Sequence, residues 1–271
     1  MTQINLDTIR ILFVGCGNMG SAILSSWLEH GVNPDNVSIR VNTQQSADGL
    51  TQRFGVTASP LQTYNNHDIV VLAVKPQMLD SVLAQHWADA PATPLYISIA
   101  AGKTLEYFQR MLGAHHRIIR AMPNTPSLVG EGVTTLVAGD SANIKDQSLA
   151  TQLFETCGAA IWLDNEAQLA IATAIAGSGP AYVYHFAECL YVTAQKMGLP
   201  DDTALALVRG TLSGSVALAN AQGWDDIAQL RQNVTSKGGV TQAALEVLMT
   251  DMPNLITRAL QANIARSKEL E

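Results

Sequence analysis

Two clusters of small residues in this sequence have the types and spacing to hold charged ligands on backbone groups. The first is Gly15-Cys16-Gly17-Asn18-Met19-Gly20, preceded by Ile11-Leu12-Phe13-Val14 and followed by a helical stretch from Ser21. With a strand before and a helix after, three glycines so spaced suit a dinucleotide. Gly15 permits the tight turn, Gly17 lets a pyrophosphate approach the backbone, and Gly20 lets helix and strand pack closely. The helix N-terminus, with Asn18 and Met19, faces the phosphates. A merely structural Gly-rich turn is the competing reading; a place at the first strand of an α/β pattern favours binding. Cys16 reads as a small filler in a variable slot. The second cluster is Val234-Thr235-Ser236-Lys237-Gly238-Gly239-Val240-Thr241, a small-residue loop leading into a helix that begins near Thr241. Successive N–H groups, a helix N-terminus and two hydroxyls there suit a carboxylate. A helix–helix turn with a Thr cap is the competing reading.

Other loops join the first cluster. Ala73-Val74-Lys75-Pro76, Ala100-Ala101-Gly102 and Met122-Pro123-Asn124-Thr125-Pro126 all follow strand-like runs. In an open α/β sheet ligands sit beyond the carboxyl ends of strands, so these segments, Asn124 included, are cofactor-lining candidates. The end of the second strand, Arg40-Val41-Asn42-Thr43-Gln44-Gln45-Ser46, has no acid to grip a ribose 2′-hydroxyl. A neutral loop accepts the 2′-phosphate that a carboxylate would repel, so NADP(H) is favoured and NADH is the alternative. No arginine lies in the loop itself; Arg40 is in the strand and Arg53 a helix away.

These loops need a scaffold. Compact, β-branched-rich runs at 11–14, 37–41, 68–74, 95–99, 117–121 and 133–137 predict strands, and 21–30 and 77–87 have helical apolar faces. Their alternation implies a doubly wound, Rossmann-like parallel sheet covered on both faces, closed by a last strand at 159–163. From Asp164 on, strand signals vanish and helices follow one another, with Asp164, Asp201 and Asp225 where N-caps belong. The reading is a dinucleotide-binding domain over 1–163 and an all-α substrate-binding and dimerisation domain over 164–271. The stretch 204–221 carries one charge, Arg209. A helix apolar around most of its circumference needs cover that so small a domain can hardly supply, so a homodimer, or a higher oligomer built of dimers, is expected.

Hydrophobic residues make up 47% and charged residues 14%, which allows a packed core and argues against disorder. A net charge of −7 argues against nucleic-acid or anionic-membrane partners. The 3 cysteines lack metal-ligand spacing and fit a reducing compartment. With no signal-peptide pattern and no bilayer-spanning run, a cytoplasmic protein is expected.

The 234–245 loop, with Ala243-Ala244-Leu245 after it, resembles the signature of pyrroline-5-carboxylate reductases, usually Val-[Thr/Ser/Cys]-Ser-Pro-Gly-Gly-x-Thr followed by Ala-Leu or Gly-Leu. The glycine fingerprint, Ala73-Val74-Lys75-Pro76-Gln77, Arg120-Ala121-Met122-Pro123-Asn124-Thr125-Pro126 and Gly177-Ser178-Gly179-Pro180-Ala181-Tyr182 match that family in order. Lys237 departs from the usual proline. The resemblance implies NADPH-dependent reduction of 1-pyrroline-5-carboxylate to L-proline, in an active site composed between subunits. It places Asn42 at the adenine-ribose end of the cofactor, with 73–76 beside it. It places Val240 and Thr241 on the substrate, with the Thr241 hydroxyl near the ring nitrogen, and Glu166 and Asn233 in the same pocket. Ser178, Ser236, Gly238 and Gly239, within the matching motifs, complete the expected substrate-binding set. No metal is implied.

The chemistry is consistent with these residue types. Reducing a carbonyl needs a proton donor such as Lys or His, whereas an iminium accepts hydride and becomes a neutral amine. The substrate-end loop holds Thr, Ser and backbone groups, not a His–carboxylate pair. The rival β-hydroxyacid dehydrogenases place a lysine on the first helix of the second domain; here no lysine precedes Lys196 there. His185 reads as a packed helix residue, and His115, His116 and the other histidines as surface or loop residues. A cofactor-sensing protein without turnover ranks last, because the substrate loop is intact.

Overall fold

The computed structural model describes residues 4–61, 66–86 and 93–270. Eight strands form one sheet in the order β3-β2-β1-β4-β5-β6-β7-β8. They are β1 (Ile11–Val14), β2 (Val37–Arg40), β3 (Thr57–Ser59), β4 (Ile69–Leu72), β5 (Leu95–Ser98), β6 (Arg117–Met122), β7 (Gly132–Ala138) and β8 (Gly158–Trp162). Every residue of β1, β4 and β5 is buried, as continuous apolar strands covered on both faces must be. Alternate side chains feed two cores. Ile11 and Phe13 point to one with Ile23, Trp27 and Phe154; Leu12 and Val14 point to the other with Leu79, Leu83, Tyr96 and Phe108. Trp27 lies 5.5 Å from Phe13 and 5.7 Å from Phe154, ring centroid to centroid.

Helices α1 (Asn18–Glu29), α2 (Gln44–Phe54), α3 (Pro76–His86), α4 (Leu105–Leu112) and α5 (Ile144–Glu155) connect these strands. The expected end of the third helix at 87 lies outside the described residues. All neighbouring strands run parallel except β6 and β7. The strand–helix alternation predicts a parallel β7 as well, and its pairing with β6 departs from that. Between β6 and β7 stands only a 3-10 turn, Thr125–Val129, closed by Gly130 at φ 74°, and without a crossover helix the chain can only return antiparallel. The short edge strand β3 escapes sequence reading, because its Thr57-Ala58-Ser59 carries no apolar run.

After β8 the chain is helical: α6 (Ala167–Ala172), a π-turn (Thr173–Gly177), α7 (Gly179–Lys196), α8 (Asp201–Gln222), α9 (Ile227–Asn233) and α10 (Val240–Leu270). The expected Asp caps are corrected. Glu166 precedes α6, and Pro200, with φ −60°, precedes α8, which moves Asp201 and Asp202 into the first turn where they oppose the helix dipole. For α9 the cap is Asp226, whose carboxylate accepts from the Gln229 N–H at 2.9 Å. Contacts divide the chain into two compact units, residues 1–178 with 264–271, and 179–263. In α8 only Ala204, Val208 and Ala219 are buried, while Leu205, Leu207, Val216 and Leu218 are exposed. Among the described residues no helix is long and apolar enough to cross a membrane, and no His, Cys, Asp and Glu group is placed to hold a metal.

Candidate functional site

The strand order reverses between β1 and β4, and both strands deliver their following loops to the same sheet edge. The two loops touch: the Ala73 N–H donates to the Val14 carbonyl at 2.9 Å. At this switch point lies a cavity of about 830 Å³. Its walls include Gly15, Cys16, Gly17, Asn42, Ala73, Val74 and Lys75. The three fingerprint glycines serve different ends. Gly15 has φ +79°, and a Cβ there would lie 2.6 Å from Val74 Cγ1 and 2.9 Å from the Ala73 carbonyl oxygen. A Cβ on Gly20 would press on Ala73 Cβ at 3.3 Å. A Cβ on Gly17 would meet nothing within 4 Å, so this backbone faces open space. Gly17 is also the N-cap of α1 and offers no side-chain cap, which leaves the first-turn N–H groups of Asn18, Met19 and Gly20 without acceptors inside the helix. A bare backbone beside a helix N-terminus is a seat for a pyrophosphate. Burial pushes the Cys16 thiol pKa up, which keeps it protonated.

The same cavity is lined by Arg40, Thr43 and Ser46, members of the 40–46 loop from which the sequence reading names only Asn42 as a site residue. Thr43 N-caps α2, its hydroxyl oxygen accepting from the Ser46 N–H at 3.2 Å. A Thr just before a helical stretch was the available signal. Arg40, the last residue of β2, is part of the wall, and its carbonyl accepts from the Gly15 N–H at 2.8 Å. Pro76 does not line the cavity; it opens α3.

A second cavity, of about 330 Å³, brings Ala101 and Gly102 together with Glu166. Ala100 stays in the core. Glu166 Oε1 accepts from the Leu105 N–H at 2.7 Å and pairs with Arg120, whose side chain is 6% exposed. The Arg120 partnership is invisible in a linear reading, because it joins the β6 strand to the start of α6. Asn124 is buried, and its side chain is committed to protein groups: Oδ1 accepts from the Val133 N–H at 2.8 Å and Nδ2 donates to the Ala176 carbonyl at 3.0 Å. Ser178 closes the π-turn, its N–H donating to the Thr173 carbonyl at 3.0 Å.

In the helical unit, the loop after α9 explains its own glycines. Gly238 has φ +72°, and a Cβ on Gly239 would lie 3.1 Å from the Ser236 carbonyl oxygen. The Gly238 N–H donates to Gln242 Oε1 at 2.7 Å and the Gly239 N–H to the Ser236 carbonyl at 3.0 Å. These two loop N–H groups are committed to the chain, whereas the first turn of α10, from Val240 onward, has N–H groups without acceptors inside the helix. This narrows the expected cradle. Thr241 is the second residue of α10, not its cap, and is exposed, as is Lys237. Asn233 ends α9, its Oδ1 accepting from Gln229 Nε2 at 2.8 Å. His185 is not packed within the chain: it is 73% exposed and hydrogen-bonds Glu188 at 2.9 Å. His116 lies in the bend before β6 but is buried there, edge-on to Tyr96, so it is a loop residue and not a surface one.

Known proteins agree in detail. Residues 166–270 match the family described as pyrroline-5-carboxylate reductase dimerisation, and residues 10–102 match NADP oxidoreductase, coenzyme F420-dependent. A pyrroline-5-carboxylate reductase of Vibrio alginolyticus is 34% identical over 265 residues, covering 97% of each chain. The structure of a pyrroline-5-carboxylate reductase from Coxiella burnetii superposes with a TM-score of 0.88 at 34% identity, over 97% of this chain and 99% of that one. The Plasmodium falciparum pyrroline carboxylate reductase with NADP bound gives 0.83 at 30% identity, over 98% and 99%. Likeness of this extent, running through both the sheet and the helices, places the chain in the pyrroline-5-carboxylate reductase family.

Proposed function

We propose that this protein reduces 1-pyrroline-5-carboxylate to L-proline with NADPH, the last step of proline biosynthesis. The observation that carries the reading is a glycine-turn cavity and a Gly-Gly-Val-Thr loop on one chain that matches reductases of this name along 97% of its length. Residues 1–163 serve as the dinucleotide-binding domain and residues 164–271 as the substrate-binding and dimerisation domain. The subunits form homodimers or larger assemblies of dimers, working on a small imino acid in the cytoplasm, without nucleic-acid or membrane partners.

Gly15, Gly17 and the first turn of α1 would hold the pyrophosphate. Asn42 would face the adenine ribose and 73–76 run beside it, with Ala101 and Gly102 further along the sheet edge. No acid stands at the end of β2, and Arg40, Thr43 and Ser46 line the wall there, which favours a 2′-phosphate over a free hydroxyl. The cofactor supplies hydride when bound. On the substrate side, the first-turn N–H groups of α10 receive the carboxylate. The Thr241 hydroxyl hydrogen-bonds the ring nitrogen and holds the imine in register. Glu166, Ser178, Asn233 and Ser236 would serve the substrate in an active site composed between subunits, Glu166 being fixed by Arg120 and the Leu105 N–H. The iminium carries its proton in, so the product is a neutral amine and no lysine or histidine acid is needed. Initial rates decide between this reading and a β-hydroxyacid dehydrogenase. NADPH absorbance should fall with pyrroline-5-carboxylate present. NADP reduction by a 3-hydroxy acid, with no activity on the imine, would overturn the assignment.

A further inference from the structure

We infer that Asn124 is a positioning residue, whose side-chain amide supplies to the Ala176 carbonyl the hydrogen bond that Pro180 cannot give. In an α-helix the carbonyl of Ala176 would accept from residue 180, but proline has no N–H. The helix preceding Gly177-Ser178-Gly179-Pro180 does not stay regular there; it relaxes into the π-turn Thr173–Gly177. Backbone carbonyls withdrawn from water need partners; Ala176 is part-buried, and its carbonyl finds Asn124 Nδ2 at 3.0 Å. The other end of the amide is fixed too, because the Val133 N–H donates to Oδ1 at 2.8 Å. A donor on one side and an acceptor on the other permit a single orientation of the amide. Asn124 is 6% exposed and both bonds are part-buried, which restricts the access of water to them.

Three segments thus meet on one side chain: the loop after β6, the start of β7 and the π-turn. The π-turn bears Thr173 on the wall of the cavity shared by Ala101, Gly102 and Glu166, and it ends at Ser178. With both ends of its amide committed to the chain, Asn124 holds Ser178 and Thr173 in place beside the strand ends and would leave cofactor contact to other residues. This assignment takes its kinetic consequence from the proposed reductase activity, and two of its readouts need no turnover.

Asn124→Asp is the test. An aspartate oxygen still accepts from Val133, but the ionised carboxylate cannot donate to Ala176, whereas the protonated acid can. At pH 8 the folded variant is expected to lose kcat by at least about tenfold. Its NADPH Kd, from fluorescence titration, should stay within about twofold of wild type. Acidification should restore kcat in the variant relative to wild type as the carboxyl protonates. A Kd that weakens in step with kcat, or unchanged kcat at pH 8, would overturn the inference. Hydrogen exchange on the wild type covers the case of a variant that fails to fold. Peptides spanning 130–135 and 172–179 should be equally protected with and without NADP, while 14–20 gains protection on binding. Protection of 130–135 and 172–179 that appears only with the cofactor would contradict the assignment.

Discussion

Individual residues of the proposed site offer geometry in place of acid–base strength. Thr241 is the sharpest case. As the second residue of α10 it does not cap the helix, and it is exposed, so its loss should cost little stability, under about 0.5 kcal/mol. Thr241→Ala is expected to lower kcat/KM by at least about tenfold, or about 1.4 kcal/mol of transition-state stabilisation, with NADPH affinity near normal. Thr241→Ser should retain most of the rate. Steady-state kinetics beside thermal melts check this, and wild-type kinetics in a folded alanine variant would remove Thr241 from the mechanism. Much at this scale is legible in sequence, since the positive φ of Gly15 and Gly238 and the contact of Gly239 with Ser236 are local, although the close approach of Gly15 to Ala73 and Val74 is not. Arg120 and the amide of Asn124 act on partners 46 and 52 residues away, which no local pattern encodes.

At the level of elements, the end of β2 is where the proposed cofactor choice can be tested, and the start of β1 is clamped electrostatically. Asn42→Asp places a carboxylate on the cavity wall that also includes Arg40, Thr43 and Ser46. It is expected to raise the KM for NADPH more than that for NADH; a wild type that strongly prefers NADH would contradict the loop reading. Arg10, just before β1, forms two side-chain hydrogen bonds with Asp68, just before β4, at 3.1 and 2.9 Å. Its guanidinium holds the Asp68 carboxyl below the usual carboxylate range. A depressed acid stabilises the fold above its unfolded pKa, near 4, and loses that contribution as pH falls through the folded value. Both side chains are nearly half exposed, so solvent weakens the pair. Arg10→Gln should therefore lower the Tm slightly at neutral pH, with the gap closing on acidification; a gap that widens below pH 4 would contradict the sign. The core strands were readable because burial on both faces forces continuous apolar runs. The direction of β7 was not, since it depends on a missing crossover, and the helix starts were misplaced because Pro200 and Asp226 compete with neighbouring aspartates.

At the scale of the whole molecule, the helical unit cannot stand in water by itself. Leu205, Leu207, Val216 and Leu218 of α8, with Val183 and Tyr184 of α7, are all exposed in the single chain. This region matches the dimerisation family, and burial of such surface is worth about 25 cal/mol per Å². The protein should sediment as a dimer or larger at micromolar concentration, and Leu207→Glu should weaken assembly and activity together. A stable, active monomer would refute this. The low charge of 204–221 made the need for a partner visible in sequence, whereas the size of the assembly is not written in any one helix. The central claim, that hydride goes to the cyclic imine, is tested most directly by stoichiometry. Purified protein is given limiting NADPH with excess pyrroline-5-carboxylate, and L-proline is measured by chiral chromatography against the NADPH consumed. One L-proline is expected for each NADPH oxidised. NADPH bound and left unconsumed, or consumed without proline, would contradict it.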